Sequence, residues 1–340
     1  MKKVLLTGVS GYIGLHCAVE LLKQGYAVKG SIRNLSKAES ITNAIKNFID
    51  PKGNLEFCEL DLLKDNGWDE AVSDCDFVMH VASPFFSKIP KDENELIKPA
   101  VEGTQRALRA AHKAGIKRVV LTSSMVAMLG DISGDENIDQ GSWTKVDAKN
   151  ATAYLKSKTL AEKSAWEFAK ANNIELVTVH PGPVYGPSLS NDLSGESMTL
   201  FKRIITGELK QMIHASINMS DVRDVAKIHV MALESEQANG QRVIVSTEKA
   251  HSFLEITRLL KSNGFEKVGT KVAPNFMVKL LAHFNSEMKG MLPYVGKKYE
   301  GDITRTKKIF NWNPIPFEKM VLDTAQSVNS ILSSQSRNSS

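Results

Sequence analysis

The sequence predicts an α/β fold: a doubly wound parallel sheet with helices on both faces, followed by a smaller C-terminal lobe. Apolar runs of strand length alternate with segments of helical period up to about residue 182. A glycine-rich turn joins the first such strand to the first helix, and after residue 182 the alternation loosens.

Taken in order, "KKVLLTG" is a strand ending in a glycine turn, and "YIGLHCAVELLKQG" is a helix stopping at Gly25. "YAVKGSIR" and "LEFCELD" are the second and third strands, separated by the helix "KAESITNAIKNFI". "CDFVMHVAS" and "IKRVVLTSS" are the fourth and fifth, with the helix "NELIKPAVEGTQRALRAAHKAG" between them. The helix "YLKSKTLAEKSAWEFAKANN" then leads to the strand "IELVTVHPG". This alternation implies parallel pairing through right-handed crossovers. Residues 1–182 are read as the dinucleotide-binding domain, with segments near 215–250 returning to it. Residues 183–332 are read mainly as a substrate lobe and the polar stretch 333–340, "SSQSRNSS", as a disordered tail.

The 340 residues are 42% hydrophobic and 24% charged, and carry a net charge of +5 without any basic run, which argues against nucleic-acid binding. The apolar run after Lys2–Lys3 is too short for a signal peptide, and no stretch approaches the length of a membrane span. Cys17, Cys58 and Cys75 lack metal-site spacing and read as reduced thiols, so a cytoplasmic protein without a metal is expected.

"LLTGVSGYIG" places Gly8, Gly11 and Gly14 between strand and helix. Bare backbone there lets amides approach a pyrophosphate at the helix N-terminus, the arrangement of a Rossmann-type dinucleotide site. At the end of the second strand, where an acid would bind the ribose diol of NAD, the sequence has Arg33 and then Lys37. A guanidinium suits a 2′-phosphate, so NADP(H) is expected; a plain solvated loop arginine is the alternative.

Hydroxyls in "LTSSM" close the fifth strand, where such sheets bind ligands. Tyr154 and Lys158 lie four apart on one helical face, a spacing that chance supplies in many helices. Together these features resemble the extended short-chain dehydrogenases/reductases: TGxxGxxG, an Asp closing the third strand, Ser after the fifth, and YxxxK. "HVASP", "LTSS", "YLKSKTLAE" and "HPGPVYGP" look most like the dihydroflavonol 4-reductase branch, which also holds aldehyde and ketone reductases.

The resemblance implies NADPH-dependent hydride transfer to the carbonyl of a hydrophobic aldehyde or ketone. Tyr154 would be the proton donor, Lys158 its tuner and ribose clamp, and Ser124, chosen over Ser123, a donor to the substrate oxygen. It further implies cofactor contacts from Thr7, Tyr12 and Ile13 around the glycines, and from Asp61 and Leu62 at the adenine. Val81, Ala82, Ser83, Thr122 and Ser123 would line the middle of the cofactor, and Pro181, Gly182 and Val184 the nicotinamide face. A substrate pocket is expected from Phe85, Phe86, Met125, Leu129 and Tyr185, unless these residues pack the two lobes together.

Two positions depart from the family pattern. Ala100 stands where many members carry an Asn, and Leu129 stands where plant dihydroflavonol reductases place an Asn that reaches the flavonoid. Two other readings stay open. A nucleotide-sugar epimerase or dehydratase would use a basic pair such as Lys202 and Arg203 for a diphosphate; a non-catalytic dinucleotide sensor would bind cofactor only. A small-molecule carbonyl substrate and a monomer or homodimer are expected.

Overall fold

A computed structural model of the chain describes residues 1–84 and 92–337. The first half supplies the strands β1 (Lys3–Thr7), β2 (Ala27–Ile32), β3 (Leu55–Glu59), β4 (Phe77–His80) and β5 (Arg118–Thr122). The short β6 (Glu136–Ile138) and β7 (Glu175–Pro181) follow. The helices are α1 (Tyr12–Lys23), α2 (Ala38–Lys46), α3 (Trp68–Val72), α4 (Asn94–Lys113) and α5 (Ala153–Ala171).

The central sheet is parallel, in the order Arg242–Val245, β7, β5, β4, β1, β2, β3. From β1 the chain winds outward to β3, then returns to β4 and winds the other way. The reversal opens a crevice past the carboxyl ends of β1 and β4, where doubly wound sheets take ligands. Every residue of β5 is buried, as expected for a central strand covered on both faces. Two apolar clusters fill the two sides of the sheet.

Segment 215–250 divides. Arg242–Val245 joins the main sheet beside β7, and the helix Val222–Met231 packs on α1. Ser216–Ile217, by contrast, belongs to a separate four-stranded sheet with His251–Ser252, Lys298–Gly301 and β6. The residue-182 boundary therefore cuts across a sheet, because β6 precedes it and pairs with Lys298–Gly301. Three residues are too few for β6 to show a period in the sequence.

The expectation of a disordered tail is corrected for residues 333–337. The helix Phe317–Arg337 continues through them, anchored upstream by Met320, Val321, Ala325, Val328 and Ile331. The Ser333, Ser334 and Ser336 hydroxyls donate back to the carbonyls of Asn329, Ser330 and Leu332, so the serine-rich end satisfies its own polar groups. No helix among the described residues is long and apolar enough to cross a membrane.

Candidate active site

The glycine loop is held open by packing. Gly8 has φ +71°, and a Cβ there would lie 2.9 Å from the Ala82 backbone. A Cβ on Gly14 would meet the Gly8 carbonyl at 2.1 Å, so α1 packs on the loop only without a side chain at that position. Gly11 caps α1 without a side-chain bond and is exposed, so the first N–H groups of the helix have no side-chain cap. Arg33 and Lys37 are exposed past β2, and neither makes an ion pair among the described residues. Asp61 caps its own turn by accepting from the Leu63 N–H, and Leu62 packs on Gly103 of α4.

Several expected cofactor residues have side chains engaged within the protein. The Thr7 hydroxyl accepts from the Val81 and Ala82 amides and bonds His80 Nδ1 at 2.9 Å, tying β1 to β4. Burial, then the nearby Lys158, push the His80 imidazole down to about 3, so it is neutral and accepts from Thr7. The Tyr12 hydroxyl donates to the Gly186 carbonyl, and Ile13 packs against the core. Thr122 bonds the buried His229 at 2.7 Å. Pro181 is buried and its carbonyl accepts from Ser124; Gly182 abuts the Asn218 carbonyl, and Val184 pairs with Ser220. Ser83, partly buried, borders a small cavity beside Lys158.

The two serines after β5 face different partners. Ser123 donates to Glu162 Oε2 at 2.7 Å, turned under the sheet end. The Ser124 hydroxyl accepts from the Val126 N–H and meets the Tyr154 hydroxyl. Tyr154 and Lys158 are half-buried one turn apart on α5, whose N-cap Thr152 accepts from Leu155. Burial first, and the charge of Glu196 second, push the Tyr154 phenol well above its ordinary value, while the Ser124 bond opposes them. Burial lowers the Lys158 ammonium to about 8, with Glu162 resisting the fall.

Glu162 is a residue the sequence reading missed, although it extends the Tyr154–Lys158 row by four. At 1% side-chain exposure it accepts from Ser123, Thr178, Trp166 and Arg242, and bonds His180 at 2.8 Å. Burial alone would raise its carboxyl; His180 and Arg242 more than offset that and hold it well below the ordinary range. Arg242 also donates to the Gln140 and Ser142 carbonyls and stacks 3.7 Å over the Trp143 ring. Tyr294 was missed as well; burial, then Tyr154 and Glu196, push its phenol up, placing it near Tyr154.

The expected pocket wall differs in the structure. Met125 and Leu129 are fully buried in the main core, and Tyr185 packs on Phe201 with ring centres 4.9 Å apart. These side chains fill space between the sheet and the C-terminal lobe instead of facing an open cleft. Phe85 and Phe86 lie outside the described residues. Of the basic pair, Lys202 is exposed and Arg203 is neutralised by Glu208 at 2.7 Å and Glu287 at 2.6 Å. No group of three metal-ligating side chains occurs among the described residues.

The model of the NAD dependent epimerase/dehydratase family matches residues 4–246. A cinnamoyl-CoA reductase of Medicago truncatula is 35% identical over 264 residues, covering 76% of this chain and 79% of its own. An anthocyanidin reductase of Vitis vinifera is 34% identical over 258 residues, covering 71% and 75%. Among solved structures, yeast methylglyoxal/isovaleraldehyde reductase Gre2 complexed with NADPH superposes with a TM-score of 0.78. It is 25% identical and covers 97% of this chain and 99% of its own. A UDP-glucuronic acid 4-epimerase of Bacillus cereus, 17% identical with a TM-score of 0.74, covers 97% and 99% and shares the fold.

Proposed function

The chain belongs to the NAD dependent epimerase/dehydratase family, as an NADP-dependent oxidoreductase of the extended short-chain dehydrogenase/reductase type, and on that premise we propose that it reduces the carbonyl of a hydrophobic aldehyde or ketone, with Tyr154 as proton donor. The observation that carries this reading is the Ser124–Tyr154 hydroxyl contact with Lys158 one turn along, at the crevice below the glycine loop.

Bare backbone at Gly8, Gly11 and Gly14, with the uncapped start of α1, fits a dinucleotide pyrophosphate. NADPH held there would supply the hydride. Ser124 donates to the substrate oxygen and stabilises its developing negative charge. Tyr154 delivers its proton to that oxygen, and Lys158 stabilises the phenolate left behind, against the burial that disfavours it.

Arg33 and Lys37, exposed and without ion pairs among the described residues, would meet the 2′-phosphate. Arg33→Asp is expected to weaken NADPH binding about 10- to 100-fold, the loss of one charge-assisted contact. NADH binding should change far less in the same titration; equal losses would sink the assignment.

A neutralised Arg203 leaves little positive charge for a nucleotide-sugar diphosphate, which favours carbonyl reduction over epimerisation. The reading is tested by following NADPH absorbance with aromatic and aliphatic ketones, aldehydes and nucleotide-sugars. Oxidation with simple carbonyls is expected. Tight NADPH binding without turnover of any carbonyl would point to a sensor instead.

A further inference from the structure

Among the described residues, five of the nine exposed large hydrophobics lie on one short stretch, the helix Asn275–Leu281 and the turn after it, where singly scattered ones would need no explanation. Phe276 is 70% exposed, Met277 42%, Leu280 60%, Leu281 48% and Phe284 86%. The Ala282 N–H donates to the Val278 carbonyl and the Asn285 N–H to that of Leu281, so helical spacing runs on to Phe284. At the helical ~100° per residue the five side chains share one arc of about 140°. Val278 and Ala282 fall opposite and are buried, which fastens the helix to its lobe. The stripe is an outer face that packing within the chain leaves uncovered.

The same region is basic. Residues 265–298 hold six lysines against Glu266 and Glu287, a net of +4 out of the chain's +5. Glu287 is taken by Arg203 at 2.6 Å, while Lys271, Lys279 and Lys289 are exposed and make no ion pair among the described residues. Lys279 lies on the helix beside the apolar arc, and the helix Ser286–Met291, which carries Lys289, packs against it. An isologous contact with a second copy would set these charges against themselves. A stripe one helix wide is also smaller than the ~800 Å² per partner that a stable interface buries. An anionic bilayer surface satisfies both features, with apolar side chains entering the acyl boundary and ammonium groups meeting lipid headgroups. We propose that Asn275–Leu281 with Phe284 is a docking face for an anionic lipid bilayer, on which the protein lies without crossing it. The proposal goes beyond the carbonyl-reductase reading and does not depend on it.

Sedimentation of the intact protein with sucrose-loaded vesicles tests this. Phosphatidylcholine vesicles carrying about 30% phosphatidylserine should pull the native protein down, and pure phosphatidylcholine should bind it at least ~10-fold more weakly. Raising salt from about 0.05 M to about 0.5 M should weaken binding to the anionic vesicles by a similar factor. Leu280→Glu and Phe284→Glu, at exposed positions where melting curves should match the native protein, should each lower affinity at least ~10-fold. Lys279→Gln should lower it about fivefold on anionic vesicles and leave phosphatidylcholine binding unchanged. Native protein left in the supernatant with anionic vesicles would overturn the proposal, as would Leu280→Glu and Phe284→Glu variants that sediment like the native chain. A concentration-dependent dimer abolished by Phe284→Glu, without vesicle binding, would assign the face to a second copy instead. Sedimentation needs no turnover, so a protein inactive on every carbonyl but bound to anionic vesicles sinks the reductase reading and leaves the docking face standing.

Discussion

Tyr154→Phe is expected to lower kcat/KM for NADPH-dependent carbonyl reduction by ~10²- to 10⁴-fold, the range of a lost general acid. In barrier terms that is about 3–5.5 kcal/mol. The substitution removes one oxygen and leaves the ring's packing against the main core intact. Ser124 loses a partner at the crevice mouth, which costs about 1 kcal/mol and does not unfold the domain. NADPH affinity should therefore change only a few-fold, as read by titration of cofactor fluorescence, while steady-state turnover collapses. Retention of a tenth or more of the native rate would remove Tyr154 from the proton-donor role.

Arg242→Met should produce the largest loss of stability. The guanidinium holds the buried Glu162 carboxylate at 2.7 Å, two loop carbonyls, and the face of Trp143. Removing one partner of a buried pair costs roughly 3–5 kcal/mol because the remaining charge stays desolvated. A drop of roughly 10 °C in apparent Tm follows at neutral pH. The loss has a pH signature. Glu162 titrates well below its ordinary 4.5 in the folded protein, so its contribution is present above that value and is lost as pH falls below it. The gap between native and Arg242→Met melting temperatures should thus be wide from pH 7 down to about 4.5 and narrow only as pH falls further below that value. The stacking on Trp143 and the loop bonds leave a remainder that does not depend on pH. A gap that stays constant with pH would mean that Glu162 owes its low pKa to His180 alone.

The sequence showed the parts of the molecule that local pattern encodes. β1, β4, β5 and β7 read as strands because both faces are buried, and the glycine loop reads as a phosphate cradle because its context is strand–turn–helix. The choice between Ser123 and Ser124 rested on a family resemblance; in the structure the two hydroxyls part, toward Glu162 and toward Tyr154. The ionic cluster was invisible, since Glu162 and Arg242 are 80 residues apart and nothing local to either announces the other. Tyr294 reaches the site from a lobe whose short elements carry no clear period. Composition misled at residues 333–337, where serines read as disorder but bond back along their own helix. The apolar wall assigned to Met125, Leu129 and Tyr185 failed to open for a related reason: hydrophobicity marks a residue for burial without saying against what.

The pairing of β6 with Lys298–Gly301 and of β7 with Arg242–Val245 bears on whether the chain can be divided. Among the described residues β6 pairs only with a strand of the second half, and β7, paired with β5 on one side, takes its other neighbour from there. A fragment ending at residue 182 would carry an unsatisfied β7 edge and a Glu162 deprived of Arg242, inviting association instead of a soluble cofactor-binding module. The two lobes are interleaved through these strand pairings. Split-protein reporters or domain exchanges that cut at the apparent end of the nucleotide-binding half should fail unless both pieces are made together.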